Sequence, residues 1–146
     1  MTTNKRPSSS AKKPVATKQA LPAKVPRPHL PSWLVAYLWA QAGGRCQFLG
    51  CNVPVWKDVL TTHKVNHGKI AHIVAFSPDG PRGDRVESPK LKLEPSNLML
   101  LCGKHHDLVD DKKHEAEYYT ELLRKYKEIH EARVERLTDI AEDLKT

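Results

Sequence analysis

The sequence predicts a small α+β fold, and three observations point to it. Two short apolar stretches at residues 69–75 (KIAHIVA) and 97–102 (NLMLLC) have the composition of half-buried strands. Helical periodicity flanks them, over residues 32–42 before and from about residue 115 after. The 146 residues suit one domain, and 39% hydrophobic content gives it a thin core. No run of about 18 apolar residues occurs, which predicts no membrane span. No apolar leader follows Met1, which predicts a cytoplasmic protein.

Residues 1–31 are rich in Pro, Ser, Ala, Thr and Lys and are expected to be a disordered basic tail. Seven of the 24 Lys and Arg lie there and no acid does, leaving 17 basic against 17 acidic residues in 32–146. The net charge of +7 therefore belongs to the tail, and the folded part is formally neutral. Lys12 and Lys13 within it suit either a basic arm on nucleic acid phosphates or a solubilising linker.

Ser32 is expected to cap the first helix, which Gly43-Gly44 end. Trp33, Leu34, Tyr37 and Leu38 in it read as core packing rather than a base-stacking platform. Residues 45–51 form a tight knuckle. Residues 76–95 hold four of the eleven prolines and are expected to be a loop. A short helix follows the second strand from Lys104. In the long terminal helix, Leu122, Tyr126, Ile129, Leu137, Ile140 and Leu144 mark the expected apolar stripe. Its end suits contact with a protein partner or self-association, and equally a solvated face. Three divisions result: a tail (1–31), a domain (32–130) and a helical extension (131–146).

The three cysteines are an odd number, which argues against a disulfide framework. Cys46-x4-Cys51 and Cys102-x2-His105 make two close ligand pairs, as a structural zinc requires. A thin core would draw much of its stability from such a site. His63 and His67 are alternative ligands, but their polar surroundings mark them as surface residues.

The stretches CQFLGC, KIAHIVAFSPDGPRGD and NLMLLCGKHHDLVD, in that order, resemble the HNH endonuclease family. The likeness is greatest to its zinc-stabilised branch with an Ala-His-Ile first motif, and it covers roughly residues 44–130. The resemblance implies a ββα-metal domain with a structural zinc knuckle. It implies His72 as the general base that activates water for phosphodiester hydrolysis. It implies Asn97 as the residue orienting the loop that carries His72, and His106 as a ligand of a catalytic metal. Asp110 lies four residues on, so it shares a helix face with His106 and is the expected second ligand. Many members carry a further ligand just before the base; Ala71 cannot coordinate. Two protein ligands plus oxygen donors suit Mg²⁺ or Mn²⁺. Arg82, in the loop, either clamps a phosphate or pairs with an acid to shape the chain.

The expectation is thus a metal-dependent endonuclease acting on DNA, with a leaning towards phage defence or restriction that comes from the branch it resembles. The alternative is a non-catalytic, zinc-stabilised nucleic-acid-binding module. A Cys/His nucleophilic enzyme fits less well, because all three Cys are better placed as zinc ligands.

Overall fold

A computed structural model describes residues 24–139. Lys12, Lys13 and residues 140–146 of the expected helical extension lie outside them. The fold is small and α+β. Its order is α1 (Ser32–Ala42), β1 (Gly68–His72), α2 (Glu87–Leu91), β2 (Leu98–Cys102), α3 (Gly103–Asp110) and α4 (Thr120–Thr138). Among the described residues, no helix is long and apolar enough to cross a membrane.

The two strands pair antiparallel, from Gly68 opposite Cys102 to His72 opposite Leu98. β2 is buried along Leu98, Met99, Leu100 and Leu101, which explains its unbroken apolar run. Around it pack Ala42, Cys46, Val55, Ala71, Ile73, Val109 and Leu123. A smaller cluster joins Leu34 and Leu38 of α1 to Leu98, with Leu30 packed against it. The folded unit therefore begins before Ser32, inside the stretch expected to be tail.

α1 ends as its sequence predicts. Gly43 takes the left-handed conformation at φ 62°, and the N–H groups of Gly43 and Gly44 donate to Ala40 and Trp39 carbonyls. Its start differs. Pro31 holds the cap position, Ser32 lies inside the helix, and no side chain caps it. Its buried residues are Leu34, Leu38 and Ala42, whereas Trp33 and Tyr37 are exposed. Aliphatic side chains, not these two aromatics, make this contact with the core.

Gln47 supplies what a third strand would. Its N–H donates to the Leu100 carbonyl, and its Oε1 accepts the Leu100 N–H, both at 2.8 Å. Its Nε2 reaches Glu131 on α4 at 3.1 Å, and Glu131 also pairs with Lys127. One buried amide thus ties the knuckle, the sheet and the last helix together.

α4 starts at Thr120 rather than near 115, because a 3-10 turn at Lys112–His114 occupies the approach. Its buried residues are Leu123, Lys127 and His130; of the expected stripe, Tyr126 packs against the core, Leu122 and Ile129 are half-buried and Leu137 is exposed. His130 Nε2 bonds to the Ala42 carbonyl at 2.8 Å, so the polar groups on this face are spent against α1 and the knuckle. The loop over 76–95 holds α2, started by Asp84, whose Oδ1 accepts the N–H groups of Val86 and Glu87.

Replacing Gln47 by Ala strands the buried Leu100 N–H. The expected cost is about 1–3 kcal/mol. A fall in the urea midpoint at unchanged slope checks it; an unchanged midpoint contradicts it.

Candidate metal centre and adjoining pocket

Four donors meet at one point: Cys46 and Cys51 of the knuckle, Cys102 at the end of β2, and His105 in the first turn of α3. Their ligand atoms all lie within 4.8 Å of one another, and all three cysteines are free. Cys102 Sγ lies 3.3 Å and Cys46 Sγ 3.7 Å from His105 Nδ1. Ordinary zinc–sulfur and zinc–nitrogen bonds in a tetrahedron separate such atoms by about 3.5 Å. The two distances bracket that value, so the cluster can hold a metal ion such as zinc. Burial, with the other two thiols nearby, pushes the Cys46 thiol up to about 12. A cation held there would supply the missing compensation, because ligation requires the thiolate.

The rest of the knuckle orients the fourth ligand. Phe48 stacks on the His105 ring at 4.1 Å with an interplanar angle of 4°. Phe48 in turn meets Tyr118 and Tyr126 edge-on, so the chain leading to α4 and α4 itself support the ring. His63 and His67 are exposed and outside the cluster.

α3 carries a second histidine. Neighbouring helix residues point about 100° apart, so His106 faces away from the cluster. It lines a pocket of about 120 Å³ together with His72, Asp110, Arg27, Ile70, Ala75, Phe76 and Ser77. His106 is 7% exposed, and neither ring nitrogen has a hydrogen-bond partner. A buried imidazole in this condition costs free energy unless something else occupies it. Its Nε2 is 3.4 Å from Asp110 Oδ2, one turn later on the helix. An aromatic nitrogen and a carboxylate oxygen side by side are donors that fit a divalent cation.

His72 ends β1 and is 7% exposed. Its Nε2 lies 3.0 Å from the Lys92 carbonyl, which can only accept, so Nε2 carries the proton. Nδ1 then holds the lone pair. Phe76 meets the ring edge-on at 5.3 Å. Burial holds His72 below the usual histidine range; Arg27 and His106 push the same way, while the Lys92 carbonyl and Asp110 oppose them. The imidazole is therefore neutral around pH 7.

Asn97 positions the chain around His72. Its Oδ1 accepts the Val74 N–H at 2.8 Å, and its Nδ2 donates to the Val74 and Leu91 carbonyls at 2.9 and 3.1 Å. Its own carbonyl accepts the Ile73 N–H. That bond is in ladder register, but the Asn97 N–H turns to the Glu94 carbonyl and Arg82 takes the Ile73 carbonyl, so β1 stops at His72 and not at residue 75. The Leu91 contact also fixes the chain next to Lys92, whose carbonyl holds His72.

Arg82 takes a different place from the phosphate clamp considered above. Its guanidinium donates to the Ile73, Val109, Tyr118 and His72 carbonyls, at 2.6 to 3.4 Å. Its backbone has φ 57°, a strained conformation for a residue with a side chain. Asp110 and Glu115 offset the cost of burying its charge. Arg82 staples the loop, leaving little of the fork for a phosphate.

Three contributors were not evident from the sequence: Arg27, the Lys92 carbonyl and Gln47. For Arg27 a signal existed, since Pro26 and Pro28 on either side favour an extended chain. The carbonyl had none, because any residue supplies one.

No family model matches the chain, and no curated protein matches it either.

The cluster predicts one tightly held zinc per chain by elemental analysis. Cys46→Ala, or a strong zinc chelator, is expected to remove it and to lower the unfolding midpoint sharply. Equal midpoints for the zinc-loaded and zinc-free protein would show that the cluster is not a structural site.

Proposed function

We propose that this protein is a metal-dependent endonuclease of the HNH type, hydrolysing phosphodiester bonds of DNA. One observation carries the reading. A buried histidine with neither ring nitrogen hydrogen-bonded, His106, whose nitrogens lie 3.5 and 3.4 Å from carboxylate oxygens of Asp107 and Asp110, shares a small pocket with a tautomer-fixed, neutral histidine, His72. The motif order that resembles the family supports it, as does the cluster beside α3. A role in restriction or phage defence rests on that resemblance alone.

The chemistry assigned to the chain's own groups is short. His72 Nδ1 takes a proton from a water molecule as its oxygen attacks phosphorus. Nε2 keeps its proton and its bond to the Lys92 carbonyl, so the ring does not turn away as it becomes charged. The phosphorus–oxygen bond opposite breaks, the leaving oxygen takes a proton from solvent water, and His72 later returns its extra proton to solvent. His106 and Asp110 would hold Mg²⁺ or Mn²⁺, which supplies neutralisation of the phosphate and of the leaving oxygen. Asn97 acts on His72 through the backbone that both share.

Plasmid nicking by the zinc-loaded protein, with and without added Mg²⁺ or Mn²⁺, tests the proposal. Cutting is expected only with the added metal, and His72→Ala is expected to lower its rate by about 10²–10⁴-fold. A His72→Ala variant that cuts as fast as the wild type contradicts the assignment. A wild type that binds DNA but fails to cut it whichever metal is added leaves the binding module as the better reading.

The pH profile is a separate check. His72 is active when neutral, and its pKa lies below the usual 6.5. The Arg27 charge and His106 favour the neutral form, Asp110 and the Lys92 carbonyl oppose them, and burial decides the direction. The cutting rate is expected to fall to half its plateau only at a pH below 6.5. A rate already halved at 6.5 or above would contradict this.

A further inference from the structure

Residues 24–31 form a strap with no helix or strand, with prolines at positions 26, 28 and 31. It touches the open edge of β1 through Arg27. Leu100 spends its N–H and carbonyl on Gln47, so Ile70 opposite it turns its own carbonyl away from β2. Arg27 Nη2 donates to that carbonyl at 3.2 Å. The contact brings the Arg27 side chain to the pocket that His72, His106 and Asp110 line.

Arg27 and Arg82 make an informative contrast. Arg82 is partly buried and spends its fork on four carbonyls. Arg27 is exposed and makes one hydrogen bond, which leaves most of a planar set of five donors uncommitted. The other charged side chain lining this pocket is Asp110, which repels an anion. A phosphodiester entering the pocket thus meets one fixed positive charge from the protein, and a guanidinium matches two phosphate oxygens at once.

We infer that Arg27 binds the phosphate of the nucleic acid that is cut, gripping its non-bridging oxygens from the strap side of the pocket. This rests on the nuclease reading and adds a substrate-binding residue to it. The strap is thereby part of the site. It also makes the preceding sequence, with Lys5, Arg6, Lys12, Lys13 and Lys18, continuous with a residue at the pocket.

Arg27→Gln tests this in the full-length, zinc-loaded chain. Glutamine keeps an N–H for the Ile70 carbonyl and removes the charge. Plasmid nicking with Mn²⁺ is expected to slow about 10- to 100-fold, with the unfolding midpoint and zinc content unchanged. Binding of a fluorescein-labelled duplex oligonucleotide, measured on a His72→Ala background without Mn²⁺, gives the second readout. There Arg27→Gln is expected to lower the slope of log affinity against log salt by about one. Arg27→Lys is expected to restore the slope and part of the rate. Wild-type cutting and slope in Arg27→Gln overturn the inference. So does a Lys variant as impaired as the Gln variant in both readouts, because charge is then not what Arg27 contributes. A wild type that never cuts removes the nuclease reading, and the salt slope then decides whether Arg27 meets phosphate.

Discussion

The convergence of three thiols and one imidazole is the constraint on which the remaining geometry depends. Two donors come from the knuckle, one from the end of β2 and one from the first turn of α3. Cys102 is the cap residue of α3, so the strand and helix meet at a ligand. Fixing His105 fixes the rotation of an eight-residue helix about its axis. The rotation in turn decides where His106 and Asp110 go. A cation held at the cluster would therefore do two jobs: it would offset the burial of Cys46, and it would set the phase of the helix that faces the pocket.

The remaining order comes from polar staples rather than from apolar mass. Asn97, Arg82 and Gln47 each bond to backbone groups from distant parts of the chain. Asn97 joins the residues after β1 to the end of α2, and Arg82 joins the same residues to α3 and to the approach of α4. A thin core cannot hold a long loop by burial alone, and a half-buried guanidinium with four carbonyls can. The cost is strain at the Arg82 backbone. Gly83 beside it is equally constrained: a Cβ there would lie 2.4 Å from the Pro78 carbonyl oxygen.

The coarse fold was legible because strand composition and helical period are local. The two strands and the four-donor cluster needed only apolar runs and ligand spacing. The phase of α4 was not legible. Its buried face includes Lys127 and His130, whose polar groups are satisfied by Glu131 and by the Ala42 carbonyl. Hydropathy assigns such residues to solvent, so the stripe was placed one position away, on Leu122 and Tyr126 instead of Leu123 and Lys127. The start of the domain was misplaced for a related reason. Residues 24–31 look like the rest of the proline-rich tail, and only Leu30 and the Arg27 contact tie them down. Of the pocket, His106 and Asp110 share a helix face as their spacing suggests, whereas His72 was marked by the resemblance alone, and the carbonyl that fixes its tautomer carries no side-chain signature.

Ala71 shows how the sheet limits the pocket. Successive residues of a strand face opposite ways, so Ile70 and His72 share the pocket side and Ala71 turns to the other. There it is 1% exposed, in the core cluster that also holds Met99, its partner across the sheet. A carboxylate at this position would sit in the apolar core with its charge uncompensated, at a cost of several kcal/mol. The small apolar residue is what this register permits. In consequence only one helix, α3, offers both of the pocket's candidate metal donors. The positive charge comes from outside the strand–helix unit, on a strap anchored at the open edge of β1. Residues 32–146 balance 17 basic against 17 acidic residues, so Arg27, which precedes them, gives the pocket a local charge that their overall balance does not provide.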